Sequence, residues 1–313
     1  MKDLLERCCG IDIHKETAVA CIMVGNGKKA KKEIQTFGTM TEDIEELKLW
    51  LKKNKIEKVA IESTGVYWIP IFNILEDKFE IVLANAKHIK NVPGRKTDVK
   101  DSEWLCKLLK HGLIEKSFIP PEAIRFLREL TRSRKSLISD STTAKNRIIK
   151  LLESSNVKLA SVLSNAYGVT GWKIIKALAD GETDVEKLVE NLSPTIKTPK
   201  EKFKKALKNT LKPHNRDLLK IRIKHVEGLL NLITEIEEQI KKCLKEYIVE
   251  IDLLKTIPGM GDTTAAVTLA EIGNDMSQFP TEMHLTSWAG LAPGNNESAG
   301  KKKAQKLQRG ISI

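Results

Sequence analysis

The sequence predicts an α/β domain followed by a long, mainly helical remainder, on three observations. Short β-type runs and amphipathic helices alternate through the first third of the chain. Strand-like runs stop at Pro121. Beyond it, two long stretches carry apolar residues at helical 3-4 spacing.

The elements follow in order. "CCGIDIHK" and "TAVACIMV" read as strands, and "GNGKK" after them supplies the Asn-Gly signal of a hairpin leading to a third strand, "KKEIQTFG". Thr41 is the expected cap of the helix "EDIEELKLWLKKN", which has acids at its start and lysines at its end, as the helix dipole favours. "KVAIEST" is a fourth strand, "YWIPIFNILEDK" a helix despite its early proline, and "FEIVLAN" a fifth strand. A helix holding Asp101 closes the domain. Three hairpin-connected strands, then helix, strand, helix, strand, helix, is the element order of a ribonuclease H-like domain.

After Pro121, Leu127, Leu130, Leu137, Ala144, Ile148 and Leu151 mark one helix face, interrupted by Arg134 and Ser141. Val226, Leu229, Ile233, Ile236, Ile240, Cys243 and Tyr247 follow the heptad spacing of a coiled-coil seam in a helix from about Arg216 to Tyr247. The two helices could pair within one chain or across a dimer. Between them, short helices broken at Gly171 and Gly181 are expected. The predicted domains are residues 1–120, 121–250 and 251–313.

Composition narrows the partners. The chain has 313 residues and a formal net charge of +12, which suits a polyanion. Eleven Lys or Arg against only Glu201 and Asp217 lie between Lys197 and Lys224, and "KKKAQKLQR" adds a second cluster. No apolar run approaches the ~20 residues that a membrane helix needs. The five cysteines form no C-x-x-C pair, so buried thiols in a reducing cytoplasm are expected. "IPGMGDTT" resembles the turn of a helix-hairpin-helix motif, in which Gly259 and Gly261 let backbone amides approach a phosphate. A tight turn between packed helices is the plainer alternative.

Four acids stand where such a sheet would gather them. Asp12 lies in the first strand, Glu62 ends the fourth, and Asp98 and Asp101, three apart, share one face of the last helix. Four carboxylates in one place require cations, because mutual repulsion otherwise drives protonation. Two Mg²⁺ ions, with Mn²⁺ as a substitute, fit an all-oxygen donor set and the chemistry of phosphoryl transfer. Arg95 and Lys96 beside them, in "GRKTDVKD", are candidate phosphate contacts.

"GIDIHKETAVACI", "IESTGVYWIPIFNIL" and "NVPGRKTDVKDSEWLCKLLKHGLI" resemble the RuvC-like N-terminal domain of the DEDD transposases. "LLKTIPGMGDTTAAVTLAEIGNDMSQFPT" and "LTSWAGLAPGNNESAGKKK" resemble that family's C-terminal domain. The resemblance implies that Asp12, Glu62, Asp98 and Asp101 form the metal tetrad, and that Ser298 is a nucleophile attacking DNA. It implies donor and target DNA, a structured bridge-type guide RNA, and a homo-oligomer that joins one subunit's acids to another's serine. Lys301, Lys302 and Lys303 would bind backbone phosphates. Family members run on into further helices where this chain stops at "KLQRGISI". A shortened serine domain is therefore expected, with metal and nucleic-acid binding ahead of recombination. Two alternatives use the same residues: a RuvC-like nuclease with water as nucleophile, and an inactive nucleic-acid-binding remnant. An actin-like ATPase also begins with a "GIDIHKETA"-like turn, but the second phosphate loop it needs is not found.

Overall fold

The computed structural model describes residues 3–27, 30–63, 65–84, 89, 101–114, 116–190, 192–194, 196–208 and 211–291, with the backbone of 297–298 and 301–302. The chain forms two compact units, Met1–Ile119 and Pro120–Ile313.

In the first unit, β1 (Arg7–Ile13), β2 (Ala18–Val24) and β3 (Lys31–Phe37) form an antiparallel meander. Gly27 at its hairpin turn has φ +60°, a region open to glycine at little cost. Helix α1 (Thr41–Lys53), β4 (Lys58–Glu62), α2 (Trp68–Leu75), β5 (Glu80–Ala84) and α3 (Asp101–Lys110) follow. The sheet order is β3-β2-β1-β4-β5, with β4 parallel to β1 and β5 parallel to β4. The central strands are apolar on both faces because helices cover both. Ile11, Ile13, Val59, Ile61 and Leu83 pack with Ile44, Leu47 and Leu51 of α1 and Ile71 and Leu75 of α2. Cys8, Cys21, Ala60 and Val82 pack under Leu105, Cys106, Leu108 and Leu109 of α3.

One local expectation is corrected here and another is met. Met40, not Thr41, occupies the cap of α1, and the Asp43 carboxylate accepts its N–H at 3.1 Å. An acid three residues into the helix does the capping, so the hydroxyl is not needed. Pro70 sits in the first turn of α2, where its missing N–H has no helical partner to lose.

The second unit is built on α4 (Glu122–Ser154) and, after four shorter helices, α9 (Pro213–Cys243). The shorter ones are α5 (Leu159–Val162), α6 (Val169–Asp180), α7 (Val185–Glu190) and α8 (Lys200–Leu207). The long helices pair antiparallel within the chain. Arg134 of α4 meets Glu237 of α9 at 2.6 Å, whereas Arg222 near the start of α9 donates to the Arg147 carbonyl. Val226, Leu229 and Ile240 are buried along the expected seam, but its last turn, Leu244–Tyr247, is a 3-10 helix. Gly171 does not break a helix. It lies within α6, where a Cβ would stand 2.1 Å from the Ala166 carbonyl oxygen, so it serves close packing. Gly181 ends α6 in a left-handed conformation, φ +102°, as expected of a glycine C-cap.

Each end of the long pair carries its own core. Ile148, Leu152, Leu178, Phe203, Leu219 and Val226 belong to one. Ile124, Leu127, Ile240, Ala266 and Leu269 form the other, with α10 (Ile248–Lys255) and α11 (Asp262–Ile272). Helix α12 (Glu282–Trp288) and a two-residue hairpin, β6 (Glu297–Ser298) and β7 (Lys301–Lys302), come last. Residues on both sides of position 250 lie in this second unit. Among the described residues no helix is long and apolar enough to cross a membrane.

Candidate functional site

Strand alternation aims the acids. Cys8, Gly10 and Asp12 share one face of β1, and Ala60 and Glu62 share the matching face of β4. The last paired residues of these parallel strands are Ile11 and Ile61, so Asp12 and Glu62 follow side by side at the strands' C-terminal ends. Such ends are where open α/β sheets place their ligands.

Helix α3 brings the third acid. It crosses β1 directly over Gly10, where a Cβ would lie 2.5 Å from the Ser102 carbonyl oxygen and 2.4 Å from the Cys106 amide nitrogen. Only a residue without a side chain permits this approach. Asp101 opens α3, one residue before Ser102, and its charge reaches Asp12. Burial raises the proton affinity of Asp12, and the charges of Asp101 and Glu62 raise it further. His14 opposes them, with Nε2 3.4 Å from Asp12 Oδ2.

The donor chemistry is carboxylate oxygen with an exposed imidazole at the rim, which suits a hard divalent cation. Among the described residues, no three acidic, histidine or cysteine side chains are close enough together to hold a metal ion by themselves. Asp98, Arg95, Lys96 and Lys303 lie outside the described residues.

The other predicted positions fall in the second unit. Ser298 pairs with Lys301, and Glu297 with Lys302, across the small hairpin. Gly259 has φ +84° in the turn between α10 and α11, and Gly261 stands at the N-cap of α11. A Cβ at either glycine would meet nothing within 4 Å, so the turn is open on its outer side. Helices α10 and α11 also pack together, as the plainer alternative required.

Sequence reasoning missed three residues. Gly10 carries the close approach of α3, and the only signal was a glycine inside a strand. His14 pairs with Asp12 from the loop. Tyr67 is 45% exposed between Val66 and Ile69, which are 65% and 39% exposed, just beyond Glu62. This exposed apolar step was visible only as the run "GVYWIP".

Residues 9–157 match a transposase family of the DEDD, IS110 type, and residues 251–312 match the IS116/IS110/IS902 transposase family. The chain is 31% identical over 157 residues to the transposase for insertion sequence element IS1533 of Leptospira borgpetersenii, a match covering 48% of this chain and 44% of that protein. It is 39% identical over 75 residues to an insertion element IS110 protein of Streptomyces coelicolor, covering 24% of this chain and 18% of the relative. It is also 42% identical over 69 residues to a pilin gene-inverting protein of Moraxella lacunata, covering 21% of each. The chain thus spans less than half the length of the curated relatives it matches.

Proposed function

Because the chain belongs to the IS110-type family of DEDD transposases, we propose that it is a DNA transposase that cuts and rejoins strands through a serine nucleophile served by a carboxylate metal site. The observation that carries this reading is that Asp12 and Glu62 stand side by side at the ends of neighbouring parallel strands, while the helix that crosses β1 at Gly10 opens with Asp101. The sheet order, with β1 between the antiparallel β2 and the parallel β4, supports a ribonuclease H-like first unit.

In this reading Asp12, Glu62, Asp98 and Asp101 hold Mg²⁺ or Mn²⁺. Bound there, the metal would neutralise charge on a phosphodiester and ease loss of the hydroxyl proton from the nucleophile. The carboxylates orient that metal and accept the proton. Ser298 Oγ attacks phosphorus, forming a P–Oγ ester as the P–O bond to one sugar oxygen breaks and the proton passes to that oxygen. Attack by another strand's hydroxyl reverses the exchange. The number of phosphoester bonds is unchanged, so no nucleotide cofactor is required. Relatives named for pilin gene inversion support rejoining over cleavage alone, because inversion restores continuous DNA.

The lysines at 301, 302 and 303 and the cations at 95 and 96 would contact backbone phosphates, and the open glycine turn at Gly259 and Gly261 another. A structured guide RNA and assembly of several copies complete the proposal. The net charge of +12 supports a polyanionic partner, and the guide RNA rests on the family resemblance.

The test is incubation with Mg²⁺, guide RNA and labelled donor and target DNA, read as a protease-sensitive covalent DNA adduct. Loss of the adduct in both Ser298→Ala and Asp12→Ala supports the proposal. Cleavage that survives Ser298→Ala without an adduct would replace it with a water-using nuclease. Binding without cleavage in every form would replace it with a nucleic-acid-binding remnant.

A further inference from the structure

The sheet of the first unit carries a second feature, on the opposite face and at the opposite end from Asp12. An open cavity of about 540 Å³ lies between the start of β1, the edge strand β3 and the end of α1. Its lining includes Arg7, Lys31, Lys32, Lys53 and Lys55, with Glu33 as the single acid. Glu33 is already engaged, accepting the Trp50 indole N–H at 3.3 Å. Lys32 is paired with Glu103 at 2.9 Å. Arg7 donates to a backbone carbonyl, that of Asn54, at 3.1 Å. Among the described residues, Lys31, Lys53 and Lys55 have no ion-pair partner.

Ordinary structural duties explain parts of this lining. Lysines on an edge strand discourage strand addition, and lysines at a helix end complement its dipole. Neither duty explains Lys55. It has φ +53°, immediately after the α1 C-cap, a left-handed position that glycine or asparagine fills at lower cost. A long cationic side chain there instead adds a third unpaired lysine to the lining of one hollow.

We propose that this cavity is a second nucleic-acid contact, holding successive backbone phosphates of a strand away from the acid site. The proposal rests on the reading of the protein as a nucleic-acid enzyme. Several phosphates, in place of one small anion, match cations spread from a strand edge to a helix end. Arg7 stands five residues before Asp12 on β1, about 17 Å along the strand at the usual rise. The contact therefore serves a part of the nucleic acid other than the one being cut. It would anchor without reading sequence.

The experiment measures binding of a short fluorescent single-stranded oligonucleotide to the full chain, without divalent metal, across a salt series. The wild type, Asp12→Ala and the triple variant Lys31→Ala/Lys53→Ala/Lys55→Ala are compared, with thermal melts to establish that all three fold. The triple variant should bind at least about tenfold more weakly, and the magnitude of its salt slope should fall by about 2, at ~0.7 per lost single-strand phosphate contact. Asp12→Ala should retain binding. Salt-dependent binding that is identical in the wild type and the triple variant would overturn the cavity while leaving the proposed function intact. Inorganic phosphate that saturates the cavity without displacing the oligonucleotide would also overturn it. Absence of oligonucleotide binding by the wild type would overturn the functional reading together with the cavity.

Discussion

Gly10 and Cys106 approach so closely that a Cβ on the glycine would stand 2.4 Å from the cysteine's amide nitrogen. The obstruction would be helix backbone, which cannot rotate away. Gly10→Ala should therefore lift α3 from β1, destabilising the protein by about 1–3 kcal/mol, as overpacking does. It should also separate Asp101 from Asp12 and lower cleavage more than the stability loss explains. Chemical denaturation and a DNA cleavage assay at a temperature where the variant is folded would check this. Wild-type values in both would show that α3 is not held by that contact.

Metal binding should be readable without activity. A cation bound only by the folded protein stabilises it by about 2.7 kcal/mol at a hundredfold excess over the dissociation constant, and so raises its melting temperature. Mg²⁺ should shift the melt of the wild type and shift that of Asp12→Asn much less. Equal shifts in the two would remove Asp12 from the ligand set.

Glu271 is 3% exposed on α11 and accepts two bonds from Arg132 at 2.9 Å each, while Arg128 donates to the Ala270 and Glu271 carbonyls. These arginines tie α4 to the end of α11. Glu271→Ala leaves guanidinium charge without its carboxylate and should cost about 3 kcal/mol in urea unfolding. Arg132→Ala should cost less, because Arg132 is largely solvated.

Tyr167 donates to the Lys145 carbonyl, and burial raises its phenol pKa from 10.0 to about 12. A raised folded-state value means its contribution is fully present below pH ~10 and is lost as pH rises toward 12. Thermal stability should fall across that window more steeply in the wild type than in Tyr167→Phe. Ultraviolet titration should show one tyrosine ionising last. Parallel stability curves would contradict the assignment.

Much of the first unit was legible because its elements are written locally. Short β-type runs named all five strands, and acids followed by lysines named α1. The positions of Asp12 and Glu62 at strand ends and of Asp101 at a helix start followed from the same signals. The second long helix was equally plain, and Val226, Leu229 and Ile240 on its apolar positions are buried. Smaller errors came where close packing overrode a residue's usual preference. Gly171 looks like a helix breaker, yet its missing side chain lets α6 pack on Ala166.

By itself, then, the amino-acid order determined which segments become strands and helices, where the acids sit within them, and that the surface carries excess positive charge. These are properties of short windows, set by side-chain spacing and backbone preference. Only the tertiary structure decided that the long helices pair within one chain, that Glu271 is clamped by Arg128 and Arg132, and that cations from β1, β3 and α1 line one cavity. It also decided that α3 crosses β1 at Gly10, bringing Asp101 within electrostatic reach of Asp12. Each of these depends on residues tens of positions apart meeting at particular distances, and chain spacing carries no information about such distances.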